Sequence, residues 1–122
     1  MPLVRISVNG KTAEQRHLIG EAIHAALVSV ASVPKDDLFQ VFEETLLRVT
    51  PSYLGISHGK NVAIIQVFLN EGRTVEVKRL LYARLAEGVA AAAGIRGEDV
   101  IVSLVEVAKQ DWSFGNGLMS YA

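Results

Sequence analysis

The chain has no cysteine, so neither a disulfide nor a thiolate metal site is open to it, as suits a reducing compartment. No apolar run approaches the ~18 residues a membrane-spanning helix needs, and no basic segment leads into an apolar one at the start. Neither a membrane span nor secretion is indicated, and a cytoplasmic location is expected. An excess of one charge is missing too: 12 basic and 13 acidic side chains leave a net charge of −1. Without a broad field of either sign, nucleic acid and acidic membrane surfaces are disfavoured as partners.

What is plentiful is apolar. Hydrophobic residues make up 50% of the 122 positions, and the mean hydropathy is +0.29. The length suits one domain with its own core, and the surplus of apolar side chains suggests surface covered by other subunits.

At the start, an initiator Met before Pro2 is normally trimmed, which would expose a secondary amine. An α-amino group titrates near ~7.7–8.0, and apolar surroundings or nearby cations push it lower, so such a nitrogen can act as a base at neutral pH. Were Met1 retained, the same nitrogen would be an amide without basicity. In Leu3 to Val8, Val4, Ile6 and Val8 alternate with Arg5 and Ser7, the period of a strand with one buried face. Asn9-Gly10-Lys11 turns the chain, and Thr12 with Gln15 three residues on forms a capping-box pattern. Leu18, Ile19, Ala22, Ile23, Ala26, Leu27 and Val30 then predict a helix to about Ala31, ended by Pro34. Leu38 to Thr45 reads as a second strand, and Leu46 to Lys60 as a loop with a short strand around Tyr53 to Ile56. Val62 to Leu69 is apolar almost throughout, which predicts a central strand buried on both faces. After Glu71-Gly72-Arg73-Thr74 a second helix is expected to about Ala93, with Val77, Leu81, Leu85, Val89 and Ala92 on its apolar stripe and Gly94 as its stop. Val100 to Val107 is the last long strand, and residues 111–117 read as a turn or short hairpin.

The two halves match. Gly10, Thr12, Glu14, Leu18, Asp37 and Glu44 correspond to Gly72, Thr74, Glu76, Leu80, Asp99 and Glu106 at one offset of 62 residues. The shared order of strand, turn, helix and strand predicts a duplicated β-α-β unit, with pseudo-repeats over 1–58 and 59–122 in a single domain. Right-handed crossovers would make each unit's strands parallel and place both helices on one face of a four-stranded mixed sheet, an α+β fold. Subunit assembly is the simplest way to bury the other face.

Four segments resemble the tautomerase superfamily, and within it the malonate semialdehyde decarboxylase group: Met1-Pro2-Leu3, Val33 to Gln40, Val100 to Glu106, and Asp111-Trp112-Ser113-Phe114-Gly115. The resemblance implies a homotrimer without cofactor or metal, acting on a small oxo acid. It implies Pro2 as the catalytic amine in an apolar pocket, with Arg73 and Asp37 beside it and Trp112 and Phe114 as aromatic walls. Arg73 would bind a substrate carboxylate and favour the neutral amine, and Asp37 would orient water or hold the ammonium form. Departures are visible. Glu71-Gly72-Arg73 keeps one of the two arginines that the decarboxylase carries at this turn. Lys11 stands where 4-oxalocrotonate tautomerase has a first-turn arginine, and Phe39 or Gln40 where it has a strand arginine. Lys11 and Phe39 are counted with the substrate-binding candidates. Ser103 replaces the tyrosine of the dehalogenase relatives, which argues against dehalogenation.

Other motifs are weak. His17, His24 and His58 lack metal-ligand spacing. Residues 55–61 miss the phosphate-loop pattern, and Gly115-Asn116-Gly117 is too short for a dinucleotide fingerprint. The expected activity is keto-enol tautomerisation of a small 2-oxo acid with Pro2 as acid/base. The first alternative is decarboxylation or hydration of a 3-oxo acid, and the alternative of another class is a non-catalytic assembly or ligand-binding module.

Overall fold

The computed structural model describes residues 2–121; whether Met1 is removed concerns a residue outside that range. The elements are β1 (Leu3–Val8), α1 (Ala13–Ala31), β2 (Gln40–Glu44), β3 (Ser52–Tyr53), β4 (Ile56–Ser57), β5 (Ala63–Asn70), α2 (Val75–Ala93) and β6 (Val100–Val107). Short 3-10 turns over Gly97–Asp99 and Lys109–Asp111 bracket β6. The main sheet has the order β2-β1-β5-β6, with β1 parallel to β2, β5 parallel to β6, and β1 antiparallel to β5. This is the tandem β-α-β arrangement, with α1 and α2 packed side by side on one face. Gly88 makes that approach close: a Cβ there would lie 3.3 Å from Ala22 Cβ.

Both helices begin at a threonine. Thr12 Oγ1 accepts from Gln15 N (3.1 Å) while Gln15 Oε1 accepts from Thr12 N (2.9 Å), the reciprocal cap expected from the sequence. Thr74 Oγ1 accepts from Val77 N (3.2 Å), but valine cannot reciprocate. The helices end at Ser32 and Gly94, both left-handed at φ 59° and 66°.

The repeat identities at the turns have a common cause. Glu44, at the end of β2, accepts from Gly10 N–H and pairs with Arg16 at 3.5 Å. Glu106 in β6 accepts from Gly72 N (3.3 Å) and pairs with Lys78 at 2.7 Å. In each half, one carboxylate pins the strand-to-helix turn to the neighbouring strand. The offset is one residue shorter in the first strands, where Val4 pairs with Gln40 and Ile65 with Val102. Glu71 is the extra residue of the second turn.

The core lies between helices and sheet. Val4, Ile6 and Val8 of β1 meet Ile65, Val67 and Leu69 of β5, Ile19, Ile23 and Leu27 of α1, and Leu81, Leu85 and Val89 of α2, all at 1% exposure or less. β5 is buried on its helix-facing side only, which corrects the expectation of two buried faces: Ile64 and Phe68 are half-buried and Gln66 is exposed. The open face carries an apolar row of Leu3, Phe68 and Val105, a more polar row of Val41, Arg5, Gln66 and Ser103, and a row of Glu43, Ser7, Ile64 and Ile101. Arg5 and Glu43 pair across it.

Two other expectations need correction. Residues 53–56 are not one strand but a hairpin: β3 and β4 pair through a reversal at Leu54 (φ 50°) and Gly55 (φ 80°), the two positive angles that a tight hairpin turn requires. β2 is shorter than Leu38 to Thr45, although Phe39 O and Thr45 N still bond to Val4 and Val8 at 2.9 Å each. Residues 111–117 do fold back, with Ser120 N donating to Trp112 O at 3.2 Å.

Candidate active site at one end of the sheet

The strand directions decide which residues can meet. The starts of β1 and β2 and the ends of β5 and β6 lie at the same end of the sheet, so four chain segments leave or enter it together. Pro2 precedes β1; Asp37 and Phe39 precede β2; Asn70 closes β5 with Arg73 just beyond; Trp112 to Phe114 follow β6. Pro2 is buried at a cavity of about 230 Å³ lined also by Leu3, Phe39, Trp112, Ser113 and Phe114. The walls are largely aromatic: Phe114 stacks on Trp112 at 5.2 Å, sits 5.7 Å from Phe39, and meets Tyr121 edge-on at 5.7 Å.

Arg73 is held from two sides. Nη1 donates to Asn70 O (3.0 Å) and Nη2 to Ala31 O (3.0 Å), while the buried Nε has no hydrogen-bond partner among the described residues. Of the five N–H donors a guanidinium carries, these bonds use two. The bond to Ala31 also places a cation at the C-terminal end of α1, where unpaired carbonyls and the helix dipole favour one. Trp112 joins the same group, its Nε1 donating to Asn70 Oδ1 at 2.7 Å. Asp37 is half-buried and closes a turn with its N–H on Pro34 O (3.1 Å). Its mate Asp99 closes the equivalent turn on Arg96 O (3.0 Å).

Asp99 serves the opposite end of the sheet. It is 4% exposed and accepts from Gly59 N at 2.6 Å and from Arg96 Nε at 3.3 Å. The Gly59 bond, helped by the guanidinium, holds its carboxyl below the usual aspartate range despite burial. The Lys78 ammonium and Gly72 N–H act likewise on Glu106.

Pro2, Phe39, Trp112 and Phe114 thus meet in one cavity, with Arg73 tied to Trp112 through Asn70 and Asp37 at the same strand ends. Lys11 does not join them within one chain. It lies beyond the far end of β1, a six-residue strand that spans roughly 20 Å. Glu71, the acid that would trouble an anionic substrate, lines a separate groove with Lys109, Gln110 and Tyr121. Sequence reasoning missed Leu3, Ser113 and Asn70. Ser113 stands between two named aromatics, whereas Asn70 had only its place at a strand end. The histidines are engaged elsewhere: His24 Nε2 lies 2.7 Å from Lys35 O, and His58 Nδ1 2.9 Å from Thr50 O.

A family profile described as tautomerase enzyme matches residues 38–115, well over half of the chain. The chain belongs to the tautomerase enzyme family. A second tautomerase profile matches residues 2–46, so the two together take in both pseudo-repeats. The probable tautomerase YusQ of Bacillus subtilis (strain 168) is 33% identical over 121 residues, covering 96% of this chain and 95% of that protein. Among solved structures, the FG41 malonate semialdehyde decarboxylase inhibited by 3-bromopropiolate superposes with a TM-score of 0.89 at 36% identity, over 98% of this chain and 93% of that one. A fused 4-OT described as a symmetric trimer gives 0.79 at 27% identity, over 95% and 94%. Membership of an enzyme family favours catalysis over the non-catalytic module. No described helix is long and apolar enough to cross a membrane.

Proposed function

We propose that this tautomerase-family enzyme moves a proton on a small 2-oxo acid, with the nitrogen of Pro2, freed by removal of Met1, as the acid/base. The observation that carries the reading is the burial of Pro2 in an aromatic-walled cavity, since desolvation disfavours the charged amine and an Arg73 guanidinium within reach would do the same. A neutral Pro2 takes a proton from the carbon beside the carbonyl and returns it to the other end of the enol system. Arg73 uses its remaining N–H groups on the substrate carboxylate and on the oxygen that gains charge in the enolate. Phe39 and Phe114 are exposed in the single chain, so with Trp112 they exclude water and strengthen both effects once substrate or a neighbouring subunit covers them. The assembly is a homotrimer, supported by the half-apolar open face of the sheet and by the trimeric fused relative.

A second reading is favoured by the decarboxylase similarity and by Asp37 at the same strand ends. Here Pro2 is cationic, polarises a carbonyl or protonates a carbanion, and Asp37 activates water on a small 3-oxo acid. The two readings require opposite charge states of one nitrogen. Steady-state rates across pH on phenylenolpyruvate and malonate semialdehyde, with Pro2→Ala and Arg73→Ala alongside and the intact mass recorded, separate them. A rate that rises as Pro2 loses its proton supports tautomerisation, and one that falls supports decarboxylation. Undiminished turnover by Pro2→Ala defeats both.

A further inference from the structure

Asn70 offers two oxygens to groups of the candidate site. Its backbone carbonyl accepts from Arg73 Nη1 (3.0 Å) and its side-chain Oδ1 from Trp112 Nε1 (2.7 Å). We propose that Asn70 is a positioning residue of this site, fixing the Arg73 guanidinium and the Trp112 ring relative to each other and to Pro2. The proposal rests on the reading of Pro2 and Arg73 given above.

An indole has a single polar hydrogen, so one acceptor determines how the edge of the ring is held. Trp112 forms a wall of the cavity and stacks on Phe114, so a tilt of the indole moves two walls at once. At 2.7 Å the bond to Asn70 is at the short end of the N–H···O range, as befits a firm anchor. The same residue's carbonyl takes one arm of Arg73, and Ala31 O takes the other. Asn70 is thereby joined both to the proposed carboxylate-binding cation and to the apolar wall.

The fold alone does not explain this side chain. Asn9, which follows Val8 as Asn70 follows Leu69, donates through Nδ2 to Thr45 O (2.9 Å) and braces the segment after β2. In the second half the main chain supplies a comparable brace, Glu71 N donating to Val107 O at 3.1 Å. The amide of Asn70 is released from that task, and its oxygen meets the indole.

Asn70→Leu removes the acceptor at nearly constant size, and Asn70→Asp keeps an acceptor in the same place. The chain's only tryptophan provides a signal independent of turnover, the proton resonance of the indole N–H. In Asn70→Leu this resonance is expected to shift and kcat/KM on phenylenolpyruvate to fall about 100-fold, the loss that a misplacement near 1 Å brings. Asn70→Asp is expected to retain the downfield indole signal. Trp112→Phe removes the donor without touching β5 and carries the test should Asn70→Leu fail to fold. Its loss is expected to resemble that of Asn70→Leu, and the double variant to lose no more than either alone. The proposal is overturned if the indole resonance of Asn70→Leu is unchanged, if Trp112→Phe keeps full kcat/KM, or if both Asn70 variants lose activity only in step with melting temperature. Full activity in Pro2→Ala would instead remove the reading of the site, while the indole signal would still report whether Asn70 holds the ring.

Discussion

Arg73 binds the end of α1 as well as serving the proposed site, so its removal acts on two quantities that are measured separately. Arg73→Ala is expected to lower kcat/KM by about 100-fold, roughly the 3 kcal/mol at the upper end for a charge-assisted bond, and denaturant unfolding should show a further loss of ~1–2 kcal/mol from the lost Ala31 contact. An activity loss with unchanged stability would mean that the Ala31 bond contributes nothing. Asp99 gives a pH prediction. Its folded carboxyl titrates below the ordinary value, so the folded state binds fewer protons there. The stability it confers is full above the unfolded pKa, near 4, and is lost as pH falls through the lower folded value. Asp99→Asn should therefore flatten the acid limb of stability in that window, as followed by thermal unfolding at a series of pH values; an unaltered acid limb would contradict this. The placement of Pro2, Asp37 and Arg73 at one end of the sheet was legible because each precedes or follows a strand in a recognisable motif. Asn70 was not, because a strand-ending asparagine looks the same whether its side chain braces the backbone, as Asn9 does, or reaches a ring 42 positions away.

At the scale of elements, helix starts were readable because capping is local chemistry. Thr12→Ala removes the Oγ1 that accepts from Gln15 N and should cost about 1 kcal/mol in chemical denaturation, while the bond from Thr12 N–H to Gln15 Oε1 is open to alanine as well. Thr74→Ala removes the equivalent bond and should cost a similar amount, and a clearly smaller cost would show that the two bonds of the first cap reinforce each other. The hairpin at Leu54 and Gly55 was missed because a large apolar residue at positive φ is a poor turn signal, a position that asparagine or glycine usually takes. The continuous apolar run of β5 suggested two buried faces, yet only Ala63, Ile65, Val67 and Leu69 lie under the helices. Hydrophobicity marked Ile64 and Phe68 for burial without saying by what.

For the whole molecule, that question becomes one of assembly. Ile64 and Ile101 are paired neighbours on the open face, and Ile64→Asp would set a charge where a trimer would bury apolar surface. Light scattering is expected to give a trimer for the native protein and smaller species for this variant; an unaltered trimer would mean that subunits meet elsewhere. The duplicated architecture also has an accounting consequence for the chemistry. The residue corresponding to Pro2 in the second half is Ala63, whose nitrogen is locked in a peptide bond within the chain. Joining two such units end to end leaves no more than one amine, the one proposed for Pro2, for every pair of motifs. An electrophilic inactivator aimed at that amine should then be consumed at one equivalent per polypeptide, half the stoichiometry that two unjoined units would show.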